Sequence, residues 1–148
     1  MVTIGSILTK KGKDLWTIHA EATVYEALVS MAEKGVGALP VLDDPKKLIG
    51  IVTERDYARK IALKGKDSKT TKVSEIMTPV EDMYCVAATT TAEEGMVLIT
   101  EKKIRHLPVF DNHQFIGLIS IGDLVKSVVA DKEHTIAHLN DYISGKYV

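Results

Sequence analysis

Apolar and polar positions along the chain follow two alternating regimes. Short apolar runs bounded by turn residues predict strands, and apolar residues recurring every three or four positions predict helices. Residues 1–9 read as a short helical lead-in with Ile4, Ile7 and Leu8 on one side. A polar loop over 10–14 and a short strand over 15–18 follow. Thr23 caps a helix, Glu26 completes a capping box, and Val24, Ala27, Leu28 and Met31 face inward. Gly35 ends that helix. Strands over 38–42 and 48–53 flank the turn Asp43-Asp44-Pro45-Lys46-Lys47, and a closing helix runs from Arg55 to about Leu63.

The same order then returns. Ser74 to Met77 repeats the lead-in, Thr78-Pro79 stops it, and residues 83–86 form a strand. Thr91 or one of its neighbours caps a helix to Lys103 with Glu93 and Glu94 in its first turn. Strands over 107–110 and 115–120 enclose Asp111-Asn112-His113-Gln114. A helix over 124–129 is followed by a further amphipathic helix over 134–142, with Ile136, Leu139 and Ile143 on one face and Ser144-Gly145 at its end.

The repetition extends to individual residues. Glu33-Lys34-Gly35 with Leu39-Pro40-Val41 matches Glu101-Lys102-Lys103 with Leu107-Pro108-Val109, at an offset of 68. Trp16 meets Tyr84 at that offset, Gly50 meets Gly117 at 67, and Ile7-Leu8-Thr9 meets Ile76-Met77-Thr78 at 69. The pattern predicts a duplicated β-α-β-β-α unit, neither half large enough to bury a good core alone. The expected division is repeat one with its lead-in over 1–64, a polar linker over 65–72, repeat two over 73–130 and a C-terminal helix over 131–148. The linker is no phosphate-binding loop of the strand-to-helix type, because Lys60 stands where Gly65-Lys66 would require a glycine.

Bulk properties narrow the function classes. Hydrophobic residues make up 45% and charged residues 26%, a globular and not a disordered composition. A net charge of −1 supplies no electrostatic attraction for nucleic acid or an anionic membrane. No apolar run approaches the roughly 20 residues of a membrane span, and the N-terminus lacks a secretory pattern. Cys85 is the only cysteine, which excludes an internal disulfide and suits a reducing, cytoplasmic setting. It reads as a small apolar residue.

The stretch Leu48-Ile49-Gly50-Ile51-Val52-Thr53-Glu54-Arg55-Asp56 returns as Phe115-Ile116-Gly117-Leu118-Ile119-Ser120-Ile121-Gly122-Asp123. In each copy a hydroxyl and, three residues on, an aspartate fall where strand gives way to helix. One reading is structural: Thr53 or Ser120 caps the helix, and the aspartate favours the positive end of its dipole. The other is functional: a carboxylate fixed there can accept two hydrogen bonds from the vicinal hydroxyls of a ribose.

This tandem repeat, with Leu-Pro-Val-x-Asp followed by Ile-Gly-x-x-[Thr/Ser]-x-x-Asp, resembles the paired CBS (cystathionine-β-synthase) domain, or Bateman module. The resemblance covers roughly residues 1–130 and is similar in detail to the two-CBS proteins of bacteria and plant organelles. It implies an α+β fold in which two repeats pack sheet to sheet about a pseudo-two-fold axis, with clefts between them. Such clefts hold AMP, ADP, ATP, NAD-type dinucleotides or S-adenosylmethionine. It assigns ribose binding to Asp56 and Asp123, with Thr53 and Ser120 beside them. Adenine contacts fall on the backbone at Ile51 and Leu118 and on Leu15, Trp16, Met83 and Tyr84. Phosphate contacts come from the opposite repeat: Arg105 and His106 for the ligand of Asp56, Gly37 and Ala38 for that of Asp123. Arg105 and His106 offer side-chain donors suited to phosphate. Gly37 and Ala38 offer backbone only, so the Asp56 cleft is expected to prefer a phosphorylated ligand. Arg55 can add a phosphate contact or stay solvated.

The remaining candidates carry less. Trp16 and Tyr84 suit core packing as well as an adenine border. His134 and His138 stand four apart but lack the further ligand a metal site needs. No catalytic constellation is visible, so an enzyme is not expected. The resulting expectation is a regulatory adenine-nucleotide sensor, homodimeric through helix faces at 91–103 and 124–143, acting on an unidentified target protein. The alternative is a dimeric interaction scaffold without a physiological ligand.

Overall fold

The computed structural model describes residues 1–12, 14–44 and 47–143 of the chain. They form two compact units, one comprising Met1–Lys13 with Cys85–Val148 and the other Asp14–Tyr84. Each unit joins one repeat to the lead-in helix of the other.

In the unit Asp14–Tyr84, a four-stranded sheet has the order β1-β2-β3-β4: Ile18–His19, Ala38–Leu42, Leu48–Thr53 and Thr78–Pro79. β1 lies parallel to β2, and the β2–β3 and β3–β4 pairs are antiparallel. Helix α2 (Val24–Lys34) packs Val24, Ala27 and Met31 against Leu39, Val41 and Val52. Thr23 and Glu26 form the expected capping box, and Gly35 closes the helix in the left-handed region at φ 67°. A one-turn helix α3 (Glu54–Tyr57) runs on as a π-helical turn over Ala58–Ala62, which buries Ile61. Helix α4 (Val73–Ile76) is the second lead-in. Its Val73 and Ile76 complete this core, and Val73 N–H donates to Ala22 O at 2.8 Å.

The unit containing Met1–Lys13 repeats the plan. Its first helix, α1 (Ile4–Lys11), buries Ile4 and Ile7. Ile4 N–H and Gly5 N–H donate to Thr90 O and Ala88 O at 2.8 and 2.9 Å. A three-stranded sheet of order β5-β6-β7 comprises Val86–Ala87, His106–Asp111 and Gln114–Ser120. Asn112 and His113, both at positive φ, make the two-residue turn between β6 and β7. Helix α5 (Ala92–Lys102) carries the Thr91–Glu94 capping box. Its core partners are Ile4, Leu107, Val109, Ile119 and Leu124.

The motif glycines mark where each lead-in approaches. A Cβ on Gly50 would meet Met77 Sδ and Thr78 O, both at 2.7 Å, and one on Gly117 would meet Leu8 Cδ1 at 3.2 Å. Leu8 and Met77 are the equivalent residues of the two lead-ins.

Several expectations are corrected. The strands expected over 15–18 and 83–86 are instead the two-residue β1 and β5, which begin only where Ile18 meets Val41 and Val86 meets Val109. Thr78-Pro79 does more than stop a helix, because it pairs with Gly50 and Ile51 at the sheet edge. The two helices expected over 124–129 and 134–142 are one helix, α6 (Ile121–Ile143). Its middle, Ala130-Asp131-Lys132-Glu133, faces no core, yet none of these residues stops a helix. Ser144 and Gly145, read as its end, and Pro45 in the first turn lie outside the described residues. No described helix is long and apolar enough to cross a membrane.

Candidate functional site

The two strand-to-helix junctions are built alike. At the end of β3, Thr53 Oγ1 accepts from Asp56 N–H at 3.1 Å, while Thr53 N–H donates to Asp56 Oδ2 at 3.0 Å. The Thr53 hydroxyl also reaches Asp56 Oδ2 at 3.2 Å. At the end of β7, Ser120 Oγ accepts from Asp123 N–H at 3.1 Å and Ser120 N–H donates to Asp123 Oδ2 at 2.9 Å. Both are reciprocal capping boxes, with aspartate in the place that glutamate takes at 26 and 94. The spacing of three therefore has a structural cause. The N-cap hydroxyl takes the helix N–H, and the carboxylate takes the N–H of the N-cap residue.

Each carboxylate also carries a lysine. Lys60 Nζ lies 3.2 Å from Asp56 Oδ1 and donates to Ile76 O at 2.8 Å. Lys11 Nζ, from the last turn of α1, lies 2.9 Å from Asp123 Oδ2. Asp56 thus has both oxygens engaged. Asp123 has Oδ2 shared between Ser120 N–H and Lys11, and Oδ1 has no partner among the described residues. Burial pushes the Asp123 carboxyl up, but the hydrogen bonds from Lys11 and Ser120 outweigh it and hold it below the usual carboxylate value. The two lysines are the partners of these carboxylates that motif reasoning missed. Lys60 was visible as an i,i+4 partner of Asp56. Lys11 stands 112 positions from Asp123, and no local pattern joins them.

Register places each pair of phosphate candidates beside the junction of its own repeat, whereas the resemblance assigns each pair to the ligand of the opposite repeat. Ala38 pairs with Thr53, and Glu54 N–H donates to Gly37 O at 3.0 Å, so Gly37 and Ala38 border the Asp56 junction. His106 pairs with Ser120, and Ile121 N–H donates to Arg105 O at 2.8 Å, so Arg105 and His106 border the Asp123 junction. Ile51 is buried opposite Pro40, and Leu118 is half-buried opposite Pro108. Arg105 is exposed, as is Arg55 in the first turn of α3. Burial pushes the His106 imidazole down. The charge of Lys11 adds to this, Asp123 opposes it, and Arg105 contributes a little in the same downward sense. His106 is therefore a neutral hydrogen-bonding group at neutral pH and not a cation.

Leu15, Trp16 and Tyr84 are exposed at 39%, 38% and 44%, and Met83 is half-buried. The core-packing reading of Trp16 and Tyr84 is thereby corrected. Lys34 Nζ stands over the Trp16 ring at 4.2 Å, a cation–π contact that an exposed indole permits. Cys85 is likewise exposed and not a core residue.

Comparison with known proteins identifies the repeated unit. The family model of the CBS domain matches residues 4–63 and again 73–130. The mitochondrial CBS domain-containing protein CBSX3 of Arabidopsis thaliana is 41% identical over 152 residues, spanning 98% of this chain and 73% of that protein. Among solved structures, a putative signal-transduction protein with CBS domains from Burkholderia ambifaria MC40-6 is 49% identical. It has a TM-score of 0.81 and covers 88% of this chain and 96% of its own. A crystal structure of CBSX2 in complex with AMP is 30% identical with a TM-score of 0.71, covering 89% and 99%. Twice over, then, the strand that ends in a capped aspartate belongs to a recognised unit: the chain is a member of the CBS-domain family and carries two CBS domains in tandem.

Proposed function

We propose that this chain is a regulatory module, not an enzyme, which binds an adenine nucleotide and alters a target protein in response. The observation that carries the reading is the carboxylate fixed at each strand-to-helix junction. Asp56 and Asp123 are each pinned through Oδ2 by a hydroxyl cap, so Oδ1 of each, shared with Lys60 at Asp56 and open among the described residues at Asp123, is the pre-oriented acceptor left for a ribose hydroxyl. The CBSX2–AMP complex supports the ligand class. A ligand regulates only through unequal affinity for two states of the protein, so binding must come with a change in shape or partner affinity. Homodimerisation and a reducing intracellular setting belong to the same reading.

Calorimetric titration with AMP, ADP, ATP, NAD and S-adenosylmethionine tests it. Micromolar to millimolar binding of at least one is expected, and no binding of any at millimolar concentration defeats the reading. Asp56→Ala should weaken binding by about 1.5–3 kcal/mol, the worth of hydrogen bonds to a charged acceptor. The CBS resemblance puts Arg105 on the phosphate of the nucleotide that Asp56 holds. Arg105→Ala should then weaken AMP more than adenosine, and the two substitutions should couple in a double-mutant cycle.

A second reading is a dimeric interaction scaffold. It is favoured by the exposed apolar residues Val125, Val129, Ile136 and Leu139 on α6. It predicts that Asp56→Ala and Arg105→Ala leave self-association and target binding unchanged.

A further inference from the structure

The lysines at the two junctions are not equivalent, and the difference bears on which carboxylate a ligand can reach. Lys60 belongs to the turn after Asp56 and is also tied to Ile76 O. Lys11 arrives from the other repeat's lead-in helix, and its one polar contact among the described residues is Asp123. The offsets that align the repeats place Val80 opposite Lys11 and Ser127 opposite Lys60. Neither half carries the other's lysine.

Hydrogen-bond capacity makes the consequence concrete. A carboxylate oxygen offers two lone-pair directions. Asp123 Oδ2 has both filled, by Ser120 N–H at 2.9 Å and Lys11 at 2.9 Å. Its Oδ1 is open among the described residues. A single hydroxyl can bind Oδ1 at no cost, but a vicinal diol that donates to both oxygens must displace Lys11. We propose that Lys11 is an internal competitor for the Asp123 carboxylate, a specificity-determining residue that holds one of its oxygens until a diol-bearing ligand displaces it. This rests on the nucleotide-binding reading above.

Two features make displacement feasible. The α1 helix is held without Lys11, by the burial of Ile4 and Ile7 and by backbone bonds to Ala88 and Thr90. The Lys11 side chain is 44% exposed, so its ammonium can return to water. Gly12, at φ 101°, follows it directly and gives the chain freedom at the helix end. Lys60 lacks this freedom because of its second bond.

The test uses the full chain with Asp56→Ala, so that Asp123 reports alone, with and without Lys11→Met. Adenosine and 2′,3′-dideoxyadenosine are the probes, because neither carries a phosphate that Lys11 could attract. Lys11→Met should tighten adenosine binding about 1.5- to 5-fold, the range that exposed ion pairs of this type supply, and leave dideoxyadenosine unchanged. Raising the salt should tighten adenosine binding to the Lys11 protein and not to the Lys11→Met protein. Unchanged or weaker adenosine binding on Lys11→Met overturns the proposal, as does an equal gain for the dideoxy compound. If adenosine, AMP and the other nucleotides bind none of these proteins, the nucleotide reading falls first and takes this inference with it.

Discussion

Replacing Gly50 with alanine should damage the protein in a way that replacing its repeat partner Gly117 does not. Gly50 lies in β3 between β2 and β4. A Cβ there would sit 2.7 Å from Thr78 O and 2.7 Å from Met77 Sδ, where ordinary contact begins at 3.4 Å. The thioether can rotate away, because Met77 is flexible. The Thr78 carbonyl cannot, since Thr78 and Pro79 are held in the β3–β4 ladder. Overpacking of this kind costs about 1–3 kcal/mol, and the stiffer unfolded chain of alanine returns about 0.4–1 kcal/mol. A net loss of about 1–2 kcal/mol is expected. At Gly117 the added methyl meets only the branched end of Leu8, at 3.2 and 3.3 Å. There the strain and the entropy gain should cancel to within about 0.5 kcal/mol. Trp16 is the only tryptophan and belongs to the same unit as Gly50, so its fluorescence reports on the right part of the molecule. Urea titration should move the Trp16 transition to lower denaturant for Gly50→Ala, whereas for Gly117→Ala, which lies in the other unit, the transition followed by far-UV circular dichroism should stay in place. Adding Met77→Ala to Gly50→Ala should not restore it, because the carbonyl contact persists. Equal midpoint shifts for the two variants, or full rescue by Met77→Ala, would refute the backbone-clash argument.

Two further outcomes follow from local geometry. Lys103 closes α5 in the left-handed region at φ 55°, where its counterpart in α2 is Gly35. Lys103→Gly should stabilise the unit by about 0.5–1 kcal/mol, the net of left-handed strain relieved and backbone entropy lost; a lower urea midpoint would contradict this. Burial holds the His106 pKa below its ordinary value, so the folded state binds its proton less readily than the unfolded state. Stability from His106 is then fully present above the unfolded pKa of about 6.5 and is lost as pH falls through that value towards the lowered folded one. His106→Gln should flatten the stability profile between about pH 7 and 5, and an unaltered slope in that window would show that another group sets it.

What the sequence made legible was whatever a segment decides for itself. The strands over 38–42 and 48–53 match β2 and β3 residue for residue, because a run of apolar side chains between polar turns has one good solution beside a core. The Thr23 cap and the Gly35 stop are equally local. The strands β1 and β5 were mis-sized because two-residue ladders exist only by virtue of their parallel partners, Val41-Leu42 and Val109-Phe110. The break expected in α6 failed for a related reason. Loss of amphipathic pattern signals loss of a core partner, and a helix of good formers persists without one. Trp16 and Tyr84 were open to a core reading because equivalent aromatic positions imply a shared environment and leave its nature undecided.

The aspartates show where local legibility ends. Once Thr53–Asp56 and Ser120–Asp123 are seen as capping boxes, their recurrence no longer requires a ligand, because two copies of one junction will conserve its cap for stability alone. A cap can be satisfied by glutamate, as it is at Thr23–Glu26 and Thr91–Glu94, on helices that do not follow a motif strand. At both motif strands the shorter acid stands instead, and there a lysine is drawn onto it. The selection of aspartate is the part a capping requirement leaves unexplained. The lysines Lys60 and Lys11 bear on it because they show each carboxylate retaining charge that the cap alone does not use. That residual acceptor capacity is local chemistry at each junction, and in one junction its partner comes from 112 residues away. The repeat therefore discloses the shared scaffold, whereas the difference between the two carboxylates becomes visible only when the chain folds.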